Sequence, residues 1–129
     1  MNFEDFWHGK TQYEEYPIAQ WSTADMHLLG ALSPTVWLSC VSLDAHMAKH
    51  PEVGMADYQR IPDIIRHGEI YQQGDKRFAL LYADGVLYRA AIKITANGSK
   101  IYLLTLFRTT EALAQIQIKN KFVIVTRKQ

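Results

Sequence analysis

Three turn signals divide residues 69–108 into four apolar segments, and this punctuation constrains the fold more than any other feature of the chain. Gly74, Asp84-Gly85 and Asn97-Gly98 separate "EIYQQG", "KRFALLYADGV", "VLYRAAIKITANG" and "SKIYLLTLFR". Asp-Gly and Asn-Gly suit two-residue hairpin loops, because both central positions need positive φ. Strands joined by such loops pair antiparallel. Upstream, Met55, Tyr58, Ile61, Ile64 and Ile65 recur at spacings of three and four, which predicts a helix kinked at Pro62 and capped by Gly68. An earlier helix is predicted to be capped by Ser42 and stopped by Pro51. "TVWLS" (35–39) reads as a short strand, "TTEALAQIQIKN" as a helix and "KFVIVTR" as a last strand. Helices followed by an antiparallel sheet make an α+β fold.

Residues 1–35 show weak periodicity but hold Trp7, Tyr13, Tyr16 and Trp21, with Pro17 and Pro34 as breakers. Aromatics this dense do not suit a disordered tail. The segment reads as an irregular, aromatic-rich N-terminal arm that packs on its own domain or on a partner, and residues 36–129 read as the domain itself. "STAD" at 22–25 predicts the cap of a short helix over Met26–Ala31. With 129 residues, 48% hydrophobic and 21% charged, the chain has the make-up of an ordinary globular domain. A formal charge of +1 means that any anion-binding site must come from local clustering. The single cysteine, Cys40, excludes an internal disulfide and points to a cytoplasmic setting. No apolar run approaches the ~20 residues of a membrane helix, and no signal-peptide pattern is present.

Cations sit inside the apolar strands. With Asn97-Gly98 as a two-residue loop, Ile94 faces Ile101, Lys93 faces Tyr102, Ile92 faces Leu103, Ala90 faces Thr105 and Leu87 faces Arg108. One face then carries Tyr88, Ala90, Ile92, Ile94, Ile101, Leu103, Thr105 and Phe107 and is the expected core. The other carries Arg89, Lys93, Tyr102, Leu104, Leu106 and Arg108. Positive charge beside an aromatic suits a nucleic-acid strand, through phosphate contact and base stacking. The same pattern also suits a half-solvated sheet face with ordinary surface cations.

In "LDAHMAKHPE" (43–52), His46 lies three residues before Lys49 and four before His50, so all three share one helical face. A histidine moves protons near neutral pH and a lysine beside it holds an anion. A solvated helix end explains the same residues, since cations favour the C-terminal dipole. His46 and His50 have the spacing of two zinc ligands, but Met47 stands where HExxH needs its glutamate. No metal site and no cofactor are expected. His50 precedes Pro51, which biases its backbone out of the helix and its ring toward the sheet. Cys40 reads as a small buried residue.

Several short pieces, in order and spacing, resemble the phage-type branch of the barnase, EndoU, colicin-nuclease and RelE-like superfamily, as found in C-terminal domains of Mu-like phage head-morphogenesis proteins. They are Ser42, "KHPE" (49–52), Tyr58 with Ile61-Pro62, "GEIYQ" (68–72), the "YRAAIK" strand and "LTLFR", within residues 36–110. The resemblance implies two N-terminal helices packed on a four- to five-stranded antiparallel sheet, in the manner of barnase and RelE. It also implies a metal-independent RNA-cleaving site on the open sheet face. By position, the implied catalytic residues are His50, His46, Lys93, Arg108 and Thr105; the strand register and the helical spacing add Arg89, Tyr102 and Lys49 as expected substrate-binding residues. The register above sets Thr105 on the face opposite Lys93 and Arg108.

Three functions follow as expectations. The first is a metal-independent endoribonuclease, acting as a toxin or phage effector on tRNA or another RNA. It would be a hydrolase in which a histidine serves the attack of the 2′-OH and Lys93 and Arg108 clamp the phosphate. The second is a catalytically silent module that binds nucleic acid or a phage protein. The third is an interaction protein whose arm docks on a partner. The partners expected are RNA and an immunity protein, antitoxin or phage structural protein, with no membrane.

Overall fold

The structure, a computed structural model, describes residues 2–120 and 124–127. In chain order its elements are α1 (Phe3–Trp7), β1 (Glu15–Gln20), α2 (Thr23–Leu29), β2 (Thr35–Ser39), α3 (Cys40–Lys49), α4 (Met55–Tyr58), α5 (Ile61–His67), β3 (Glu69–Gln73), β4 (Lys76–Ala83), β5 (Val86–Ile94), β6 (Ile101–Thr109), α6 (Glu111–Asn120) and β7 (Ile124–Arg127). The class is α+β. The sheet has the order β1-β2-β6-β5-β4-β3-β7. The expected antiparallel meander, β3 to β6, forms its centre. The expectation of four or five antiparallel strands is corrected at both flanks. β2 runs parallel to β6, so the sheet is mixed, and β1 and β7 extend it to seven strands.

Residues 2–35 pack on their own sheet. β1 pairs antiparallel with β2, and Phe6, Ile18, Ala19, Trp21, Leu29 and Ala31 join the main core. α2 is capped as expected: Ser22 Oγ accepts the Asp25 amide, and Gly30 ends the helix at φ 74°. One face of the sheet is closed by α3, α4 and α5, where Tyr58, Ile61, Ile64 and Ile65 pack on Leu38, Ala90, Ile92, Leu103 and Leu106. On the other face, Tyr71, Phe78 and Ala91 form a smaller cluster that Leu80, Leu104 and Ile118 of α6 border. α6 lies over one end of this second face, where Tyr82 donates to Glu111 at 2.8 Å.

Local details revise several expectations. Ser39, not Ser42, caps α3, its Oγ accepting the Ser42 amide at 3.0 Å. The single kinked helix is two helices: α4 ends at Tyr58, and Pro62 sits in the first turn of α5, where a missing N–H costs nothing. Gly68 does end α5, but with extended backbone. A Cβ there would stand 2.6 Å from the Ile64 carbonyl oxygen and 2.9 Å from that of Leu80, so glycine permits close approach of helix and strand. Asp84-Gly85 has the positive φ pair expected of its hairpin, 52° and 78°. Asn97-Gly98 does not. It belongs to a longer loop closed between Thr95 and Lys100, in which only Gly98 has positive φ. Of the last predicted strand, residues 121–123 lie outside the described residues.

The Ile94–Ile101, Lys93–Tyr102 and Ile92–Leu103 pairs stand as expected. A bulge then interrupts the ladder: Ala91 faces Thr105, leaving Leu104 without a partner on β5. Every later residue of β6 changes face. Leu106 is therefore fully buried in the main core, and Arg108 lies opposite Tyr88 on that core side. Thr105 and Phe107 move to the other face, with Arg89 and Lys93. The expected placement of Thr105, Leu106, Phe107 and Arg108 is corrected accordingly.

Candidate functional site

β2 bonds β6 only at Val36–Ile101 and Trp37–Tyr102. α3, which follows β2 without a break, packs along the remainder of the β6 edge. Its last two turns bring His46, Lys49 and His50 over Leu104, Thr105 and Phe107, enclosing a cleft of about 310 Å³ that Ser42 and Ala45 also line. The shared helical face read from spacing is thus real, and the bulge supplies its floor.

The two imidazoles stand 5.1 Å apart, and both meet the Phe107 ring, at 5.3 Å for His46 and 4.8 Å for His50. Their environments differ. His46 is buried and shares a 2.8 Å hydrogen bond between Nδ1 and the Tyr58 hydroxyl. Its Nε2 makes no hydrogen bond of good geometry, although the Leu106 backbone favours the imidazolium. Burial, and then the neighbouring His50, lower the His46 pKa from its ordinary value. His50 caps α3 at φ −135° and ψ 64°, outside the helical region as its place before Pro51 predicts, and its ring lies at the cleft mouth. Its Nδ1 lies 3.3 Å from Glu52, whose carboxyl its own backbone amide and His50 hold below the ordinary value.

Arg89 approaches from β5, opposite Phe107. Its guanidinium lies over the Phe78 ring at 4.4 Å and stands 6.0 Å from the Phe107 ring centre. Burial lowers its pKa, yet arginine keeps its charge. Among the described residues no carboxylate pairs with it. Lys49 is exposed on the cleft rim. The cleft therefore offers a proton-transfer group, the Lys49 cation, the Ser42 and Thr105 hydroxyls and an aromatic floor, with the Arg89 cation beyond the Phe107 ring.

Three expected members of the site stand apart. Lys93 shares the Arg89 face, but four residues along β5 put it roughly 13 Å away at the usual strand rise. There it pairs with Asp75 at 3.7 Å. Arg108 is on the core side, where its guanidinium holds the buried Asp57 carboxylate through three contacts of 2.9–3.1 Å. Tyr88 donates to the same carboxylate at 2.6 Å, and Asp57 accepts the Gly54 amide at 2.8 Å. Burial raises the Asp57 pKa, but these donors outweigh it and hold the carboxyl below its ordinary value. Because Asp57 and Tyr58 are neighbours on α4, the Arg108 network and the His46 hydrogen bond share one short helix. Tyr102 lies beside Lys93, at the far end of the same face as the cleft.

Sequence reasoning passed over Glu52, Phe78 and Phe107 as members of the site. "KHPE" carried the first; the bulge hid the third. No group of three or more His, Cys, Asp or Glu side chains among the described residues is placed to hold a metal ion. No described helix is long and apolar enough to cross a membrane. Compared with family models, curated proteins and solved structures, the chain gives no significant match in any of the three.

Proposed function

We propose that this protein binds RNA across the β5–β6 face and cleaves it without a metal, by attack of a ribose 2′-OH on the adjacent phosphate, in the manner of barnase- and RelE-like nucleases. The observation that carries the reading is the convergence of His50, Lys49 and Thr105 around one cleft floored by Phe107, with Arg89 on the neighbouring strand 6.0 Å from that ring. In the proposed reaction His50, with Glu52 at its Nδ1, takes the proton of the 2′-OH as its oxygen bonds to phosphorus and returns it to the 5′-oxygen as the P–O5′ bond breaks. Lys49 and Arg89 stabilise the charge that builds on the phosphoryl oxygens. His46 positions α3 through Tyr58. Arg108 acts only at second hand, by fixing Asp57 and hence α4. Lys93 serves the strand beyond the scissile phosphate.

A second reading, RNA binding without cleavage, is favoured by one observation. Transphosphorylation wants both an acid and a base, and the His46 ring is buried and held by Tyr58. Incubating the protein with total RNA in EDTA decides between them. Cleavage that leaves 2′,3′-cyclic phosphate ends and is lost in His50→Ala supports the nuclease. Salt-dependent binding with intact RNA supports the binding module. Neither binding nor cleavage removes both.

A further inference from the structure

The far end of the same sheet face holds a second grouping. The parallel pair Trp37–Tyr102 sets two aromatic side chains next to each other on β2 and β6. Lys100 Nζ stands 5.1 Å from the Trp37 ring centre and 5.3 Å from that of Tyr102, and Glu15 of β1 pairs with it. Both rings are half-buried and belong to neither apolar cluster. Beneath them the strands are rigid: Val36, Leu38, Ile101 and Leu103 are buried in the main core. α6 lies over the opposite end, at Tyr71, Leu80 and Tyr82.

Three facts choose the occupant. Half-buried aromatic rings on a rigid sheet offer flat faces to an unstacked base. The same face carries Lys93 and Lys76 level with Tyr102 and Arg89 level with Phe107, and its carboxylate Asp75 is already engaged by Lys93. Its charge is therefore complementary to a phosphate backbone. Finally, Tyr102 and Thr105 are only three residues apart on β6, about 10 Å at the usual rise, so a short oligonucleotide spans both places.

We propose that Trp37 and Tyr102, with Lys100 held between them by Glu15, form a base-stacking subsite for single-stranded RNA whose neighbouring phosphate occupies the histidine cleft. This rests on the RNA reading above and specifies its substrate: an unpaired segment several nucleotides long. A duplex keeps its bases stacked inside and cannot use the subsite.

Binding of 2′-O-methyl RNA, which cannot be cut by 2′-OH attack, tests this by fluorescence anisotropy in EDTA. The probes are a labelled octanucleotide, a labelled dinucleotide and a blunt duplex of the octanucleotide sequence. Trp37→Ala is expected to weaken the octanucleotide about tenfold or more, as loss of a stacked base does. The same variant should leave the dinucleotide and duplex affinities unchanged, and Trp37→Phe should keep most of the octanucleotide affinity. Tyr102→Leu provides the same comparison if Trp37→Ala does not fold. If the wild type binds the octanucleotide and the folded variants bind it equally well, the subsite is wrong and the RNA reading stands. Equal loss for all three probes also overturns the subsite. If the wild type binds none of them, both fall.

Discussion

Ala91 lies opposite Thr105, one residue beyond the partner that an unbroken ladder would give it. The extra residue, Leu104, turns the C-terminal half of β6 over. Phe107 thereby meets the two histidines, and Leu106 enters the core. Deleting Leu104 should restore the plain ladder while Thr105 stays opposite Ala91 and Leu106 stays opposite Ala90 in the core. We expect the deletion to cost less than Leu106→Ala, which truncates a fully buried leucine at ~2 kcal/mol or more. Urea unfolding of the two variants makes the comparison.

Arg108 and Lys93 should respond differently to removal. Arg108→Ala strips a buried carboxylate of its cation and is expected to lower the denaturation midpoint clearly. Lys93→Ala removes one half of an exposed pair and should stay within ~0.5 kcal/mol. Denaturation midpoints at neutral pH test this, and equal midpoints for the two variants would contradict it.

His46 should make the protein acid-sensitive. Its folded pKa lies below the ordinary value of 6.5, so on acidification the unfolded chain takes up the proton first. Stability is then complete above about pH 6.5 and declines as the pH falls toward the depressed folded value. His46→Gln retains a partner for Tyr58 but has no proton to gain in this range. Its unfolding free energy should be flatter with pH over that window. An unchanged slope would assign the sensitivity to another group.

Arg89 carries a prediction for binding. If its guanidinium meets a phosphate, Arg89→Ala should lower RNA affinity for all sequences alike and reduce the slope of log affinity against log salt by about 1. Stability should also drop, because the guanidinium covers the Phe78 ring. A salt slope identical to the wild type would remove Arg89 from the interface.

The legible parts of the fold were those in which local chemistry decides. Asp84-Gly85 announced a hairpin, the isoleucines of 61–65 a buried helical face, and His50 before Pro51 a ring released from its helix. The near half of the β5–β6 ladder could be counted outward from its loop even though that loop is longer than two residues, because Thr95 and Lys100 close both versions alike. The illegible parts depend on distant partners. Nothing in "LLTLFR" marks Leu104 as the bulged residue, since its neighbours are apolar on both sides. The strand in "EYPIAQ" was hidden by Pro17, which an edge strand tolerates. Asp57 reads as a surface acid until Tyr88 and Arg108 are folded against it.

The parallel contact of β2 with β6 also bears on how the chain reaches this state. Residues 36 and 101 must meet across three helices and three strands, whereas β3 to β6 close one short loop at a time. Loop closure of that length costs entropy before any contact rewards it. The meander and α5 therefore assemble early, and the first two strands dock last. Until they dock, the edge of β6 is bare and α3 has no fixed seat, so the histidine cleft is among the final features to form. A nascent chain would gain its proposed activity only after the part that makes the N-terminal edge has returned to a sheet built from residues synthesised long after it.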